Sequence, residues 1–181
     1  TGIVLTDRAL GGADTLATSY SLAQAIKKMG KVDMVLCGRQ AIDGDTAQVG
    51  PQVAEKLGMP QVTYAEEILG IADGKATIRR RIESGVETVK APLPMVVTVN
   101  GSAPDCRPRN AKRVMQYKYA VSPSEKEKLS DELKALVDKR PGLNLQEWSA
   151  AFVEADPTQI GMPGSPTKVK AIENVVFTAK E

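Results

Sequence analysis

Residues 36–51, Leu36-Cys37-Gly38-Arg39-Gln40-Ala41-Ile42-Asp43-Gly44-Asp45-Thr46-Ala47-Gln48-Val49-Gly50-Pro51, constrain this chain more than any other stretch. They form a loop dense in turn formers between two patterned segments. Before it, residues 32–36 read as a short buried strand; after it, Val49, Val53 and Leu57 share one helical face. The loop therefore lies at the carboxyl end of a strand, the edge where open α/β sheets hold ligands. Pro51 lacks an amide hydrogen and belongs in the first turn of the helix, which leaves the amides around Thr46, Gln48 and Gly50 without helical acceptors. Such amides, with the positive end of the helix dipole, suit a phosphate. Asp43, Gly44 and Asp45 are turn residues, Gly44 is free to take positive φ, and Thr46 and Gln48 add polar side chains for phosphate or ribose. A plain connection capped by Asp45 is the alternative, and no glycine fingerprint of a dinucleotide fold or P-loop is present to decide between them.

The same residues carry a resemblance. Residues 38–51 resemble the nucleotide-binding segment of the electron-transfer flavoprotein beta subunit family, and the similarity continues through Leu57-Gly58-Met59-Pro60-Gln61-Val62-Thr63-Tyr64, Arg81-Ile82-Glu83-Ser84-Gly85-Val86-Glu87-Thr88 and Pro94-Met95-Val96-Val97-Thr98-Val99, to about Lys118. The resemblance implies that Gly38, Arg39, Gln40, Asp43, Gly44, Asp45, Thr46, Ala47, Gln48 and Val49 wrap an adenine nucleotide, which is AMP in electron-shuttling members and a second FAD in electron-bifurcating ones.

Composition closes off other classes. With 24 basic and 22 acidic residues the net charge is +2, and aromatics are 4% of the 181 residues, so neither electrostatics nor base stacking argues for nucleic acid, nor charge for a membrane. The apolar runs are too short for a membrane span and no signal peptide is visible, so a cytoplasmic location is expected. The sequence has no histidine, which rules out histidine-dependent nucleophilic catalysis and the commonest transition-metal ligand, so any chemistry must come from a cofactor. Cys37 and Cys106 are too few and too far apart for a zinc site or a redox pair.

In chain order, residues 2–6 form an apolar β run with no preceding turn or cap, as expected of a start inside a fold whose earlier strand-helix-strand unit is absent. Asp14 is a good N-cap for a helix over residues 15–29, stopped by Gly30. Residues 3–36 then make one βαβ unit and residues 33–64 the next, with both loops on one edge. By itself Asp14 with Thr15 reads as a cap. Residues 7–18, Asp7-Arg8-Ala9-Leu10-Gly11-Gly12-Ala13-Asp14-Thr15-Leu16-Ala17-Thr18, resemble the segment that marks the bifurcating branch, which implies that Asp14, Thr15 and Thr18 serve the flavin or the NADH that reduces it.

Beyond Tyr64 the turn signals Asp73-Gly74 and Ser84-Gly85 separate alternating β runs, so a hairpin excursion is expected before a central parallel strand over residues 95–99. Arg79, Arg80 and Arg81 are expected on a solvated or subunit-facing edge. Residues 100–110 form a polar loop into a short helix, and by position they resemble the loop with which the family docks on flavin-dependent dehydrogenases; this assigns Arg107, Arg109, Asn110 and Ala111 to partner binding, although the flanking residues depart from the commoner Asn-Glu-Pro-Arg-Tyr pattern. Ser122-Pro123-Ser124-Glu125 is a capping box opening a helix lined by Leu129, Leu133 and Leu136, and residues 144–147 repeat the capping pattern. The breaker-rich tail from Asp156 is expected to be an interaction arm.

The expected architecture is a Rossmann-like α/β domain of the adenine-nucleotide alpha-hydrolase type over residues 1–121, with a C-terminal helical and extended arm, residues 122–181, on a partner subunit. The resemblance implies a beta subunit of a heterodimeric electron-transfer flavoprotein. Its FAD would take hydride from NADH and split the electrons between the alpha-subunit FAD with its dehydrogenase and a low-potential acceptor such as ferredoxin. An AMP-holding electron shuttle and a non-redox nucleotide-binding regulatory module are the competing readings.

Overall fold

Alternation and turn chemistry build the main sheet. In the computed structural model residues 2–168 are described. Five strands, β2 (Met34–Gly38), β3 (Gln61–Ala72), β4 (Lys75–Ile82), β5 (Gly85–Pro92) and β6 (Met95–Val99), form one sheet in the order β2-β6-β3-β4-β5. β6 runs parallel to both β2 and β3, in keeping with a sequence that is apolar but for Thr98 and buried from Met95 to Thr98. The excursion is a pair of hairpins: Asp73 and Gly74, at φ 51° and 68°, turn β3 into β4, and Gly85, at φ 137°, opens β5. One sheet face holds a core of Val62, Ala65, Ala76, Ile78, Met95 and Val97, and these side chains alternate with those of the opposite face.

Helices α1 (Thr15–Met29) and α2 (Val49–Leu57) pack on each other, and α2 also lies against β6. Gly50 makes that approach close, because a Cβ there would sit 2.5 Å from Thr98 Cγ2. Gly58, in the left-handed region at φ 64°, ends α2 and donates to Ala54 and Glu55 carbonyls.

Four expectations are corrected. The first strand, β1 (Ile3–Leu5), does not form a βαβ unit in one sheet with β2; it pairs in parallel with β7 (Gln146–Trp148) in a separate two-stranded sheet. Residues 144–147 accordingly open a strand and not a capped helix. The expected leucine-lined helix is broken: α4 (Pro123–Lys126) carries the Ser122/Glu125 capping box, and α5 (Asp131–Asp138) starts afresh after Ser130. Arg79, Arg80 and Arg81 do not lie on an edge, since β4 is flanked by β3 and β5; Arg79 pairs with Glu67, Arg80 with Glu87 and Arg81 with Glu66.

The arm does not stand clear of the rest. Beyond β7, Ala150 donates to Asp7 Oδ2 at 3.1 Å, and Met162 donates to the Gly11 carbonyl at 3.1 Å. Val153, Ile160 and Ser165 are buried there. The last part of the expected arm, residues 169–181, lies outside the described residues.

Candidate functional site

Because β2 and β6 are adjacent and parallel, the loops after them leave the same edge of the sheet. Gly38, Arg39 and Gln40 from the first and Val99, Asn100, Gly101 and Ser102 from the second enclose a cleft of about 630 Å³. Cβ atoms added to Gly38 and Gly101 would meet no described atom within 4 Å, so both glycines border open space.

The loop over residues 39–48 is shaped by two residues in the left-handed region, Asp45 at φ 49° and Ala47 at φ 53°. Gly44, though free to take positive φ, does not: the strain falls on its neighbours, held by the Asp45 amide donating to the Ala41 carbonyl at 3.0 Å and by the Gln40 side-chain amide donating to the Asp45 carboxylate. Asp45 is therefore not the cap of α2. Gln48 occupies that position, with helical backbone angles and no capping bond from its own side chain. The first-turn amides of α2 at Val49 and Gly50 have no acceptor in the helix itself. Asp43, Gly44, Asp45 and Thr46 are exposed, and Ala47 and Val49 half-buried.

The start of α1 joins this loop although β1 belongs to another sheet. The Thr15 hydroxyl donates to Gln48 Oε1 at 2.9 Å, tying the first residue of α1 to the cap of α2. Asp14 Oδ1 accepts the Leu16 and Ala17 amides at 3.0 Å each, as an N-cap does, while Oδ2 accepts the Thr167 amide at 3.1 Å. Partial burial raises the Asp14 pKa, but the amides of Ala17, Thr167 and Leu16 outweigh it and hold the carboxyl below its usual range. Asp14 thus fixes the loop, and Thr15 connects it. Thr18 is half-buried in the first turns of α1, and its amide donates to the Asp14 carbonyl at 2.9 Å.

Sequence reasoning missed the wall at residues 99–102 and the group that holds it. The Glu66 carboxylate, 5% exposed, accepts from Arg81 Nε at 2.6 Å and from the Ser102 hydroxyl, linking the β3–β4 hairpin to the cleft. The Ser102 hydroxyl and then Arg81 keep Glu66 well inside its ionised range. The signal lay in the arginine run opposite Glu66 and Glu67, but pairing registers are not visible in a linear sequence.

Arg107, Arg109, Asn110 and Ala111 lie on the exposed continuation of the same loop, where Asn110 caps α3 (Ala111–Gln116) by accepting the Arg113 amide at 3.0 Å. A second cleft, of about 660 Å³, lies between Lys112, Met115 and Tyr117 on one side and Arg140 to Leu143 on the other, and holds none of the expected nucleotide residues. Among the described residues no helix is long and apolar enough to cross a membrane.

Comparison with known proteins identifies the family. The family model described as "Electron transfer flavoprotein domain" matches residues 1–124. The electron transfer flavoprotein subunit beta of Clostridium acetobutylicum is 42% identical over 169 residues, 93% of this chain and 55% of that protein. The caffeyl-CoA reductase-Etf complex subunit CarD of Acetobacterium woodii is 59% identical over 95 residues, 52% of this chain and 36% of that protein. Protein FixA of Rhizobium meliloti is 39% identical over 177 residues, 94% and 53% respectively. The chain spans about half the length of the curated relatives that it matches along most of its own length. With a family model covering its first 124 residues and relatives of this kind along the rest, the chain belongs to the electron transfer flavoprotein family, among its beta subunits.

Proposed function

We propose that this chain is the nucleotide-binding part of a bifurcating electron-transfer flavoprotein beta subunit, with FAD seated at the edge formed by the loops after β2 and β6. The supporting observation is the convergence of three things: a cleft bordered by Gly38 and Gly101, the first-turn amides of α2 that the helix itself leaves without acceptors, and the Thr15–Gln48 bond that brings the start of α1 alongside. These groups fit an adenine dinucleotide. Backbone amides and Arg39 suit phosphates, Thr46 and Gln48 suit ribose hydroxyls, and the open glycine faces leave room for rings.

When bound, the flavin supplies hydride acceptance from NADH and one-electron transfer. This chain's share is to bind, orient and shield it. Arg39 and the α2 amides balance phosphate charge. Gln40 and Asp45 keep the loop in its left-handed turns, and Asp14 and Thr15 fix the second loop. In this reading the exposed Arg107 and Arg109, beside Asn110 and Ala111, offer charge to a partner dehydrogenase; that they continue the loop that walls the cleft supports docking close to the flavin. The relative CarD is by name a subunit of a reductase-Etf complex, in keeping with pairing to an alpha subunit. The arm, beyond its contacts with β1 and the first loop, packs on that subunit, and a low-potential acceptor such as ferredoxin takes the second electron. The whole assembly works in the cytoplasm.

Flavin analysis of the purified full-length heterodimer is the test. Two flavins per heterodimer, both reduced on adding NADH, are expected. One flavin with one AMP would replace this reading with the electron shuttle, and no nucleotide at all would leave a module without redox chemistry.

A further inference from the structure

We propose that Ser165, far along the chain from the cleft, is a positioning residue of the nucleotide site, gripping the loop before α1 and through it setting Thr15 against Gln48; this rests on the nucleotide reading above. An N-cap residue leaves its own amide in need of an acceptor. In a capping box the third helical residue supplies it with a Glu or Gln side chain. The third residue of α1 is Ala17, which has no acceptor in its side chain. The Asp14 amide instead donates to Ser165 Oγ at 2.8 Å, across 151 positions of sequence.

Ser165 is built for this. It is 2% exposed, and its hydroxyl donates to the Gly161 carbonyl at 2.7 Å, which turns its lone pairs toward Asp14. Two more bonds flank it: the Thr167 amide to Asp14 Oδ2 at 3.1 Å, and the Met162 amide to the Gly11 carbonyl at 3.1 Å. Gly161, at φ 53°, lets the tail approach so closely that a Cβ there would lie 2.1 Å from the Ala9 carbonyl oxygen. From Ser165 the chain of contacts is unbroken: Asp14 caps α1, Thr15 follows it, and the Thr15 hydroxyl holds Gln48 at the head of α2. Tail and nucleotide loop therefore share one network and are coupled.

The experiment uses the full-length subunit in its heterodimer, with FAD and AMP as separate probes. Ser165→Ala is expected to speed exchange of the Asp14 amide and to weaken nucleotide affinity, each by about five- to thirtyfold, the range of one lost buried hydrogen bond. Thr158→Ala, which removes an exposed hydroxyl bonded to Asp156, should change neither. Linkage adds a measurement on the unmodified protein: binding must slow exchange of the Met162 and Thr167 amides. Faster exchange at Asp14 with affinity unchanged would make Ser165 merely structural and overturn the proposal, as would tail exchange indifferent to nucleotide. If the unmodified heterodimer binds neither FAD nor AMP, the nucleotide reading itself has failed, and the proposal with it.

Discussion

Gly50→Ala puts the close approach of α2 to the sheet under direct strain. The new Cβ would lie 2.5 Å from Thr98 Cγ2 and 3.6 Å from Cys37 Cβ. Carbon atoms settle at about 3.5 to 4.0 Å, so α2 must retreat by roughly 1 Å. Overpacking of that kind costs about 1 to 3 kcal/mol. Replacing glycine in a helix returns about 1 kcal/mol, which leaves a net loss of about 0 to 2 kcal/mol. For a chain of this size that is a drop of up to roughly 8 °C in the melting temperature. The retreat also moves the first-turn amides of α2, so nucleotide affinity should fall about tenfold, since displacements near 1 Å are costly at positioned sites. Thr98→Ser removes the obstructing methyl and keeps the Oγ that accepts the Tyr64 amide at 3.1 Å. The double variant should therefore recover most of both losses, with a coupling energy of about 1 to 3 kcal/mol in a cycle of thermal melts on the heterodimer. If Gly50→Ala alone melts at or above the parent and binds nucleotide equally well, α2 does not sit where this account requires.

Thr15→Val removes the hydroxyl that donates to Gln48 and should cost about 1 kcal/mol of stability, with slower NADH-driven flavin reduction, whereas Asp14→Asn should keep the helix cap through its one remaining oxygen and give up only the Thr167 amide bond to Oδ2. Unchanged reduction rates in Thr15→Val at full flavin content would make that bond incidental. Glu66→Gln takes the charge from Arg81 and loosens Ser102, so a lower urea midpoint and faster exchange around residues 100–102 are expected; equal midpoints would show that the pair contributes nothing. Asp7, Asp14, Glu66, Glu147, Glu154 and Asp156 are all held below their ordinary values. Folding thus favours their ionised forms. Their contribution is full above about pH 5 and is lost as pH falls through the lowered folded values below about pH 4. Urea midpoints taken from pH 7 to pH 3 should decline in that window, and a flat profile would contradict the assignment.

The loop over residues 36–51 was legible as a strand-to-helix connection because its signals are local: an apolar strand, turn residues and a helix face follow one another within residues 32–57. The wall at residues 99–102 was not, because its neighbour in space is decided by β6 inserting between β2 and β3. The glycines and prolines of the tail pointed to an interaction arm. In the fold Gly161 serves close packing on Ala9, and the burial it permits is shared with residues far earlier in the chain.

Sequence by itself determined the helix caps at Asp14 and Ser122, the hairpin turns around residues 73–74 and 83–85, the central parallel strand and the family. Each depends on residues within a few positions of one another, so side-chain type and period are enough to specify it. Only the tertiary structure decided that β1 pairs with β7, that Glu66 meets Arg81 and Ser102, that Thr15 meets Gln48, and that Ser165 completes the cap of α1. Strand edges and backbone amides are nearly the same for every residue type. Which distant partner satisfies them is settled by packing, when burial leaves a donor no water to turn to.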